Sequence, residues 1–144
     1  NWLDSLNKLG YERVLWHLEA GEPDQVIEKA KSIGLDIGLV VNNDTALEKL
    51  RPFWSKVDVI QLMAVIPGLQ GQEFVAATIE RIKELARLRS ENKLHFLIGV
   101  DGGLNDRTIP EVEKAGANNL VVGSALVKGD IDENLENIWQ ALRG

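Results

Sequence analysis

Short apolar runs recur along the chain at regular intervals, and each is followed by a segment with helical spacing of apolar residues. The runs have the length of strands and occupy residues 14–18, 37–41, 57–65, 94–100 and 119–122. They lack regular alternation of apolar and polar positions, which is typical of strands that are buried on both faces. A parallel sheet covered by helices is therefore predicted.

Helices are predicted between these runs and at both ends of the chain. They span residues 2–9, 23–33, 45–50, 73–89, 108–115 and 132–142. Pro23 opens the second helix, Gly34 and Gly116 end two others, and Asp44 or Thr45 caps the short one. The longest helix presents one buried stripe, made of Phe74, Ala77, Ile79, Ile82, Leu85, Ala86 and Leu88.

The order of elements is one helix followed by five strand–helix units, without a linker or a low-complexity segment. Residues 1–144 are therefore predicted to form a single α/β domain. The pattern alone leaves two architectures open, an open doubly wound sheet and part of a (β/α)8 barrel.

Composition and charge exclude several classes of function. A net charge of -6 disfavours nucleic-acid binding, because phosphate backbones attract concentrated positive charge. The absence of cysteine rules out a disulfide framework and a thiolate metal site, and it agrees with a cytoplasmic protein. No apolar run approaches the length needed to span a membrane.

Glycine-bearing segments follow three of the predicted strands, at residues 67–72, 101–103 and 123–125. Glycine lets the backbone approach a ligand closely, and successive N–H groups before a helix suit an anion. Ordinary turns remain the alternative, and neither a Walker loop nor a Gly-x-Gly-x-x-Gly fingerprint is present. The candidate phosphate-binding residues are Gly68, Gly71, Gly102, Gly103, Gly123 and Ser124.

Asp101 is the strongest single candidate for a catalytic or metal-binding residue. It follows an apolar run and precedes two glycines, so its carboxylate could abstract a proton, bind a metal ion or cap a turn. His17 and Glu19 are two residues apart and face the same side of a strand, which favours a supporting role for the pair. His95 lies near the start of its strand and is expected to do no chemistry.

These motifs together resemble the ribulose-phosphate 3-epimerase family. The matching segments are Trp-His-Leu-Glu-Ala at 16–20, the Met-to-Phe segment at 63–74, Val-Asp-Gly-Gly-Leu-Asn at 100–105, Ala-Gly-Ala at 115–117 and Val-Gly-Ser-Ala at 122–125. Their order and spacing match the family from the fourth barrel strand to the eighth. Leu69, Gln70 and residues 42–45 depart from the family pattern, which leaves the substrate preference open.

The resemblance implies a (β/α)8 barrel that interconverts ribulose 5-phosphate and xylulose 5-phosphate by two-base proton transfer at carbon 3. It implies a divalent metal ion (Zn, Fe, Mn or Co), with Asp101 as an acid/base and a metal ligand. The glycines and Ser124 correspond to the phosphate grip. Met63 corresponds to a methionine beside the reacting carbons, although on sequence grounds it is also a simple core residue.

The family's other aspartate and its metal-binding histidines belong to the first three strands, which nothing in this chain matches. Five parallel strands do not close such a barrel, whose typical size is about 250 residues. We therefore expect a partial barrel that lacks its three N-terminal strands, inactive as it stands and part of a longer protein.

Two other functions remain open. One is a different phosphate-binding barrel enzyme, of the thiamine-phosphate or hexulose-phosphate synthase type. The other is a non-catalytic half-barrel that binds a phosphorylated ligand or a partner chain. The expected partner is a small sugar phosphate, and the resemblance also allows a homo-oligomer.

Overall fold

The computed structural model describes residues 2–66, 68 and 71–143. Five parallel strands form one sheet in the order in which they occur along the chain. They are β1 (Arg13–His17), β2 (Asp36–Val41), β3 (Val59–Met63), β4 (Leu97–Asp101) and β5 (Asn119–Val121). Doubly wound sheets reverse the strand order at a switch point, whereas barrels do not, so this order is that of a barrel wall.

Six α-helices and two 3-10 segments accompany the strands among the described residues; the first helix precedes the first strand, and the last two helices follow the last strand. The helices are α1 (Trp2–Lys8), α2 (Pro23–Ser32), α3 (Thr78–Glu91), α4 (Ile109–Ala115), α5 (Ser124–Val127) and α6 (Ile131–Arg143). The 3-10 segments are Leu18–Ala20 and Leu47–Phe53. No helix among the described residues is long and apolar enough to cross a membrane.

The core lies between the sheet and its helices. Alternate residues of the strands, such as Ile37, Ile60 and Ile98, face the helices and are fully buried. Ile82 and Leu85 of α3 are buried against them. The buried stripe predicted for the long helix is therefore confirmed at its centre.

The other face of the sheet is organised in rows that cross the strands. Cα pairing places His17, Val40, Gln61, Gly99 and Asn119 side by side. Small residues keep this face closely packed. A Cβ added to Gly38 in the row below would lie 2.4 Å from Leu15 Cδ2 and 2.9 Å from Val59 Cβ.

The predicted start of the long helix is wrong by five residues. The helix begins at Thr78, so Phe74 and Ala77 are not part of its stripe. The Val75 N–H instead donates to the Ala64 carbonyl oxygen over 2.8 Å, which ties residues 73–77 to the end of β3. The apolar residues keep helical spacing back to Phe74, but this tertiary hydrogen bond holds the segment before Thr78 out of the helix.

Several other boundaries also differ from the prediction. The third strand is shorter than predicted by two residues at each end, and the fourth starts three residues later than predicted and includes Asp101 as its last residue. The helix predicted over 45–50 is a 3-10 segment that starts two residues later and contains Pro52. Thr45 does not cap it, because its hydroxyl donates to Glu19. The short helix α5 was not predicted.

A first prediction concerns the core. Leu85 is completely buried, so Leu85→Ala should lower the free energy of unfolding by about 2–5 kcal/mol, through lost apolar contact and the cavity it leaves. Urea denaturation measures the change. Lys83→Ala, at an exposed position two residues earlier in α3, is the control and should stay within about 0.5 kcal/mol of the parent. Equal losses would contradict the assigned helix face.

Candidate active site

The floor of the site is formed where β3, β4 and β5 end. Met63 pairs with Asp101, and Asp101 pairs with Val121, so the last residues of three strands lie in one row. The Asp101 carbonyl oxygen accepts a hydrogen bond of 2.7 Å from the Ala64 N–H, which extends the pairing by one residue. The backbone of Asp101 is thus fixed by hydrogen bonds to the neighbouring strands β3 and β5.

Gly102 and Gly103 make the turn that follows Asp101. Both have positive φ, +110° and +66°. A Cβ on Gly102 would lie 2.7 Å from Val65 Cγ1, and one on Gly103 would lie 2.5 Å from the Phe74 nitrogen. The loop after β3 therefore packs directly on the turn after β4, and only glycine allows this close approach.

Seven of the eight residues that the sequence nominates line one cavity of about 580 Å³. They are Met63, Gly71, Asp101, Gly102, Gly103, Gly123 and Ser124. Gly68 is exposed and does not line this cavity, although it lies in the same loop as Gly71. Of the rest of the Pro-Gly-Leu-Gln motif, Pro67, Leu69 and Gln70 lie outside the described residues.

A second cavity of about 440 Å³ adjoins the first and shares Gly71, Gly103 and Ser124 with it. It is also lined by Thr108 and Lys128, two residues that sequence reasoning missed. A single lysine in a polar segment carries no recognisable signal, so only the fold reveals that Lys128 faces this space.

Local hydrogen bonds shape the loop after β4, which lines both cavities. The Asn105 side chain accepts from the Arg107 N–H over 2.9 Å, and the Asn105 N–H donates to the Thr108 hydroxyl oxygen over 3.0 Å. The Thr108 hydroxyl donates to the Gly103 carbonyl oxygen over 3.2 Å. These bonds tie the turn at Gly103 to the start of the following helix.

Helix α5 begins at Ser124, three positions after the last residue of β5. The first N–H groups of any helix lack partners within that helix, so those of Ser124 and Ala125 are available to an acceptor. Both residues line the second cavity. A short helix after the final strand is a recurrent phosphate site in barrels.

Asp101 is partly buried, and its environment changes its acidity. Burial disfavours the carboxylate and raises the pKa of Asp101, while the electrostatic effect of His17 acts in the opposite direction. Gln61 Nε2 lies 3.4 Å from Asp101 Oδ2, within the reach of a long hydrogen bond. Sequence reasoning missed Gln61, although a polar residue inside the apolar run of β3 was a visible signal.

A polar network supports the rim of the sheet beside β1. Glu19 Oε1 accepts from the Asn42 N–H over 2.8 Å and from the Thr45 hydroxyl, and Glu19 Oε2 lies 3.4 Å from His17 Nδ1. Burial opposes ionisation of Glu19, but these hydrogen bonds outweigh it and the pKa of Glu19 is lowered. Arg81 donates to the carbonyl oxygens of Asn42 and Thr45. The arrangement agrees with the supporting role expected for His17 and Glu19.

The described residues do not by themselves fit a metal ion. Asp101 offers a carboxylate at the mouth of the sheet, but within residues 2–66, 68 and 71–143 no three His, Asp or Glu side chains are grouped as ligands. A site for Zn²⁺ in a catalytic role normally takes three protein ligands. The donor set in this part of the chain is incomplete.

Comparison with known proteins identifies the family. The sequence profile described as "Ribulose-phosphate 3 epimerase family" matches residues 1–127. The chain belongs to the ribulose-phosphate 3-epimerase family. It is 36% identical over 127 residues to the ribulose-phosphate 3-epimerase of Bacillus subtilis and 37% identical over 118 residues to that of Escherichia coli K12. The resemblance deduced from the motifs is thereby confirmed.

The alignments differ in how much of each protein they cover. They include 87% and 81% of this chain but only 58% and 52% of the Bacillus and Escherichia proteins, so the chain spans little more than half the length of these curated relatives.

Among solved structures, a thiamine phosphate pyrophosphorylase from Pyrococcus furiosus superimposes with a TM-score of 0.70 at 22% identity, covering 98% of this chain and 64% of its own. A 3-hexulose-6-phosphate synthase from Salmonella typhimurium gives 0.68 at 18%, covering 99% and 66%. These two structures support the fold alone.

A second prediction tests the close contact at Gly103. Gly103→Ala should lower the free energy of unfolding by about 1–3 kcal/mol, because the new Cβ adds backbone strain and collides with Phe74. Gly71→Ala is the matched control, since its φ of +69° imposes the same strain and, among the described residues other than its chain neighbours, no heavy atom lies within 4 Å of the added Cβ. Urea denaturation compares the two variants. A loss no larger for Gly103→Ala than for Gly71→Ala would contradict the packing of the two loops.

A third prediction follows from the raised pKa of Asp101. Above the pKa that Asp101 has in the folded protein, its carboxylate is charged in both the folded and the unfolded states. Only in the folded state is this charge partly buried, which lowers the stability of the protein. Asp101→Asn should therefore raise the urea midpoint at pH 7. The gain should shrink as the pH falls towards 3, where the parent carboxyl is protonated in both states. Asp106→Asn, at an exposed position, is the control. A gain that is equal at pH 7 and pH 3 would contradict the role of desolvation.

Proposed function

We propose that this chain is the phosphate-gripping and acid/base portion of a sugar-phosphate epimerase that interconverts ribulose 5-phosphate and xylulose 5-phosphate. The observation that carries the proposal is the convergence of the Asp101 carboxylate and three glycine-bearing turns on one cavity. Membership of the ribulose-phosphate 3-epimerase family supports the choice of reaction.

The phosphate lies in the part of the cavity near Gly103, Gly123 and Ser124, where backbone N–H groups are available. Lys128, which lines the adjoining cavity, supplies a positive charge on the same side. Binding the phosphate there leaves the carbon chain of the sugar to extend along the floor, over Met63 and towards Asp101. Gly71 closes the cavity from the loop after β3.

Asp101 then acts as one of two bases. Its carboxylate removes the proton from carbon 3 of the ketose phosphate, and the electron pair moves into an enediolate across carbons 2 and 3. A second acid returns a proton to the opposite face of carbon 3, which inverts the stereocentre. The raised pKa of Asp101 suits this role, because a less acidic carboxylic acid has a more basic carboxylate.

The second acid and the missing metal ligands, in this proposal, come from residues outside this chain. The family resemblance implies a divalent metal ion with Asp101 among its ligands, and the described residues supply too few donors for such a site. In the same proposal, the five strands are the C-terminal part of a (β/α)8 barrel whose first three strands are not included. The shorter span of this chain relative to its curated relatives supports that proposal.

The fourth prediction tests the chemistry directly. The full-length protein that contains this chain should incorporate solvent deuterium at carbon 3 of ribulose 5-phosphate, as detected by mass spectrometry. Asp101→Asn should lower the exchange rate by at least about 100-fold, because removal of a general base costs that much. Its affinity for ribulose 5-phosphate, measured by calorimetry, should stay within a few-fold of the parent.

Asp106→Asn is the control, since this exposed carboxylate lies in the loop after β4 and lines neither cavity. Persistent exchange in Asp101→Asn would refute the catalytic assignment. Phosphate binding without exchange in the parent protein would favour the non-catalytic binding function instead.

A further inference from the structure

Gln61 is a buried polar residue that the proposed reaction does not use. It lies in the middle of β3 on the face of the sheet that carries Asp101, and only 4% of its surface is exposed. Its Oε1 accepts no hydrogen bond from the described residues. A buried amide with an unsatisfied oxygen reduces stability, so its presence calls for a compensating interaction.

The Nε2 of Gln61 supplies that interaction. It lies 3.4 Å from Asp101 Oδ2, and no other hydrogen bond to the Asp101 carboxylate is made by the described residues. The separation is long for a hydrogen bond, but such bonds in catalytic sites are often long without substrate and shorten when it binds.

The sheet is built to allow this contact. Gln61 and Gly99 are paired across β3 and β4, and Asp101 follows Gly99 on the same face. A Cβ added at Gly99 would lie 3.1 Å from Gln61 Cβ and 3.3 Å from Asn119 Nδ2. The missing side chain at Gly99 therefore leaves the space through which Gln61 reaches diagonally to Asp101.

We propose that Gln61 is a positioning residue that holds Oδ2 of Asp101 from beneath the floor and leaves Oδ1 to the cavity. Asp101 lines the cavity, whereas Gln61 does not, so Gln61 acts on the reaction only through the carboxylate. An aspartate side chain has two rotatable bonds, and a donor fixed to one oxygen limits the directions that the other can take. This inference rests on the proposed function of Asp101.

The first test asks whether the contact exists in solution. The side-chain amide resonances of Gln61 in the 15N-labelled full-length protein are assigned by their absence in Gln61→Leu. Asp101→Ala removes the acceptor and should shift the Gln61 15Nε2 resonance and speed the exchange of its protons with solvent. Asp106→Ala, which removes an exposed carboxylate in the loop after β4, should leave the Gln61 resonance and its proton exchange unchanged. A Gln61 amide that is insensitive to Asp101→Ala would overturn the proposal.

The second test, which is the fifth prediction, separates positioning from packing. Gln61→Leu puts an apolar side chain of similar volume in the same place and removes the donor. It should lower kcat for epimerisation of ribulose 5-phosphate about tenfold while KM stays within about twofold, because catalytic geometry is lost and phosphate binding is not. Val40→Ala is the control, since Val40 is equally buried beside Gln61 in the same row. It should leave kcat within about twofold.

The outcomes distinguish this inference from the proposed function. A parent protein without deuterium exchange at carbon 3 would refute the epimerase function, and the amide resonances would still decide whether Gln61 holds Asp101. An active parent in which Gln61→Leu has unchanged kcat would overturn the positioning role. Parallel loss of kcat in Gln61→Leu and Val40→Ala would also overturn it, since general packing damage would then account for both.

Discussion

The parallel pairing of β3, β4 and β5 in one register determines what this molecule can do. It sets Met63, Asp101 and Val121 in a row at the edge of the sheet where all strands end. A slip of one residue would turn Asp101 towards the helices and Val100 towards the cavity. Because Val100 is completely buried against the helix layer, such a slip would expose apolar surface and bury a charge. Burial of the core side therefore fixes the direction of the carboxylate on the other side.

The sequence predicted the elements whose signals are local. The apolar run at 37–41 and the glycines that follow strands are visible without knowledge of the fold. The start of α3 was not, because the bond from Val75 to Ala64 joins segments whose proximity only the tertiary structure creates. The same limit applies to the site. Asp101 stands out beside two glycines, whereas the partner of Gln61 lies forty residues further along the chain.

Several features of the site reduce stability and are retained at the cavity. Asp101 is partly desolvated, the Gln61 side-chain oxygen has no partner among the described residues, and Gly103 holds a conformation that other residues rarely adopt. The helix-facing side of the same strands contains none of these costs and is filled by residues such as Ile60 and Ile98. One face of the sheet thus stabilises the fold, and the other carries the groups of the proposed site.

The proposed site also separates binding from chemistry. Phosphate would be bound largely by backbone N–H groups at turns. A site of that kind depends on the backbone fold more than on the side chains. Two solved structures with 22% and 18% identity to this chain share its fold, so a similar phosphate site would say little about the reaction. In the proposed function, the groups that distinguish the reaction are side chains on the cavity-facing side of β3 and β4. Measurements that respond to Asp101 and Gln61 therefore discriminate between functions, whereas phosphate affinity alone does not.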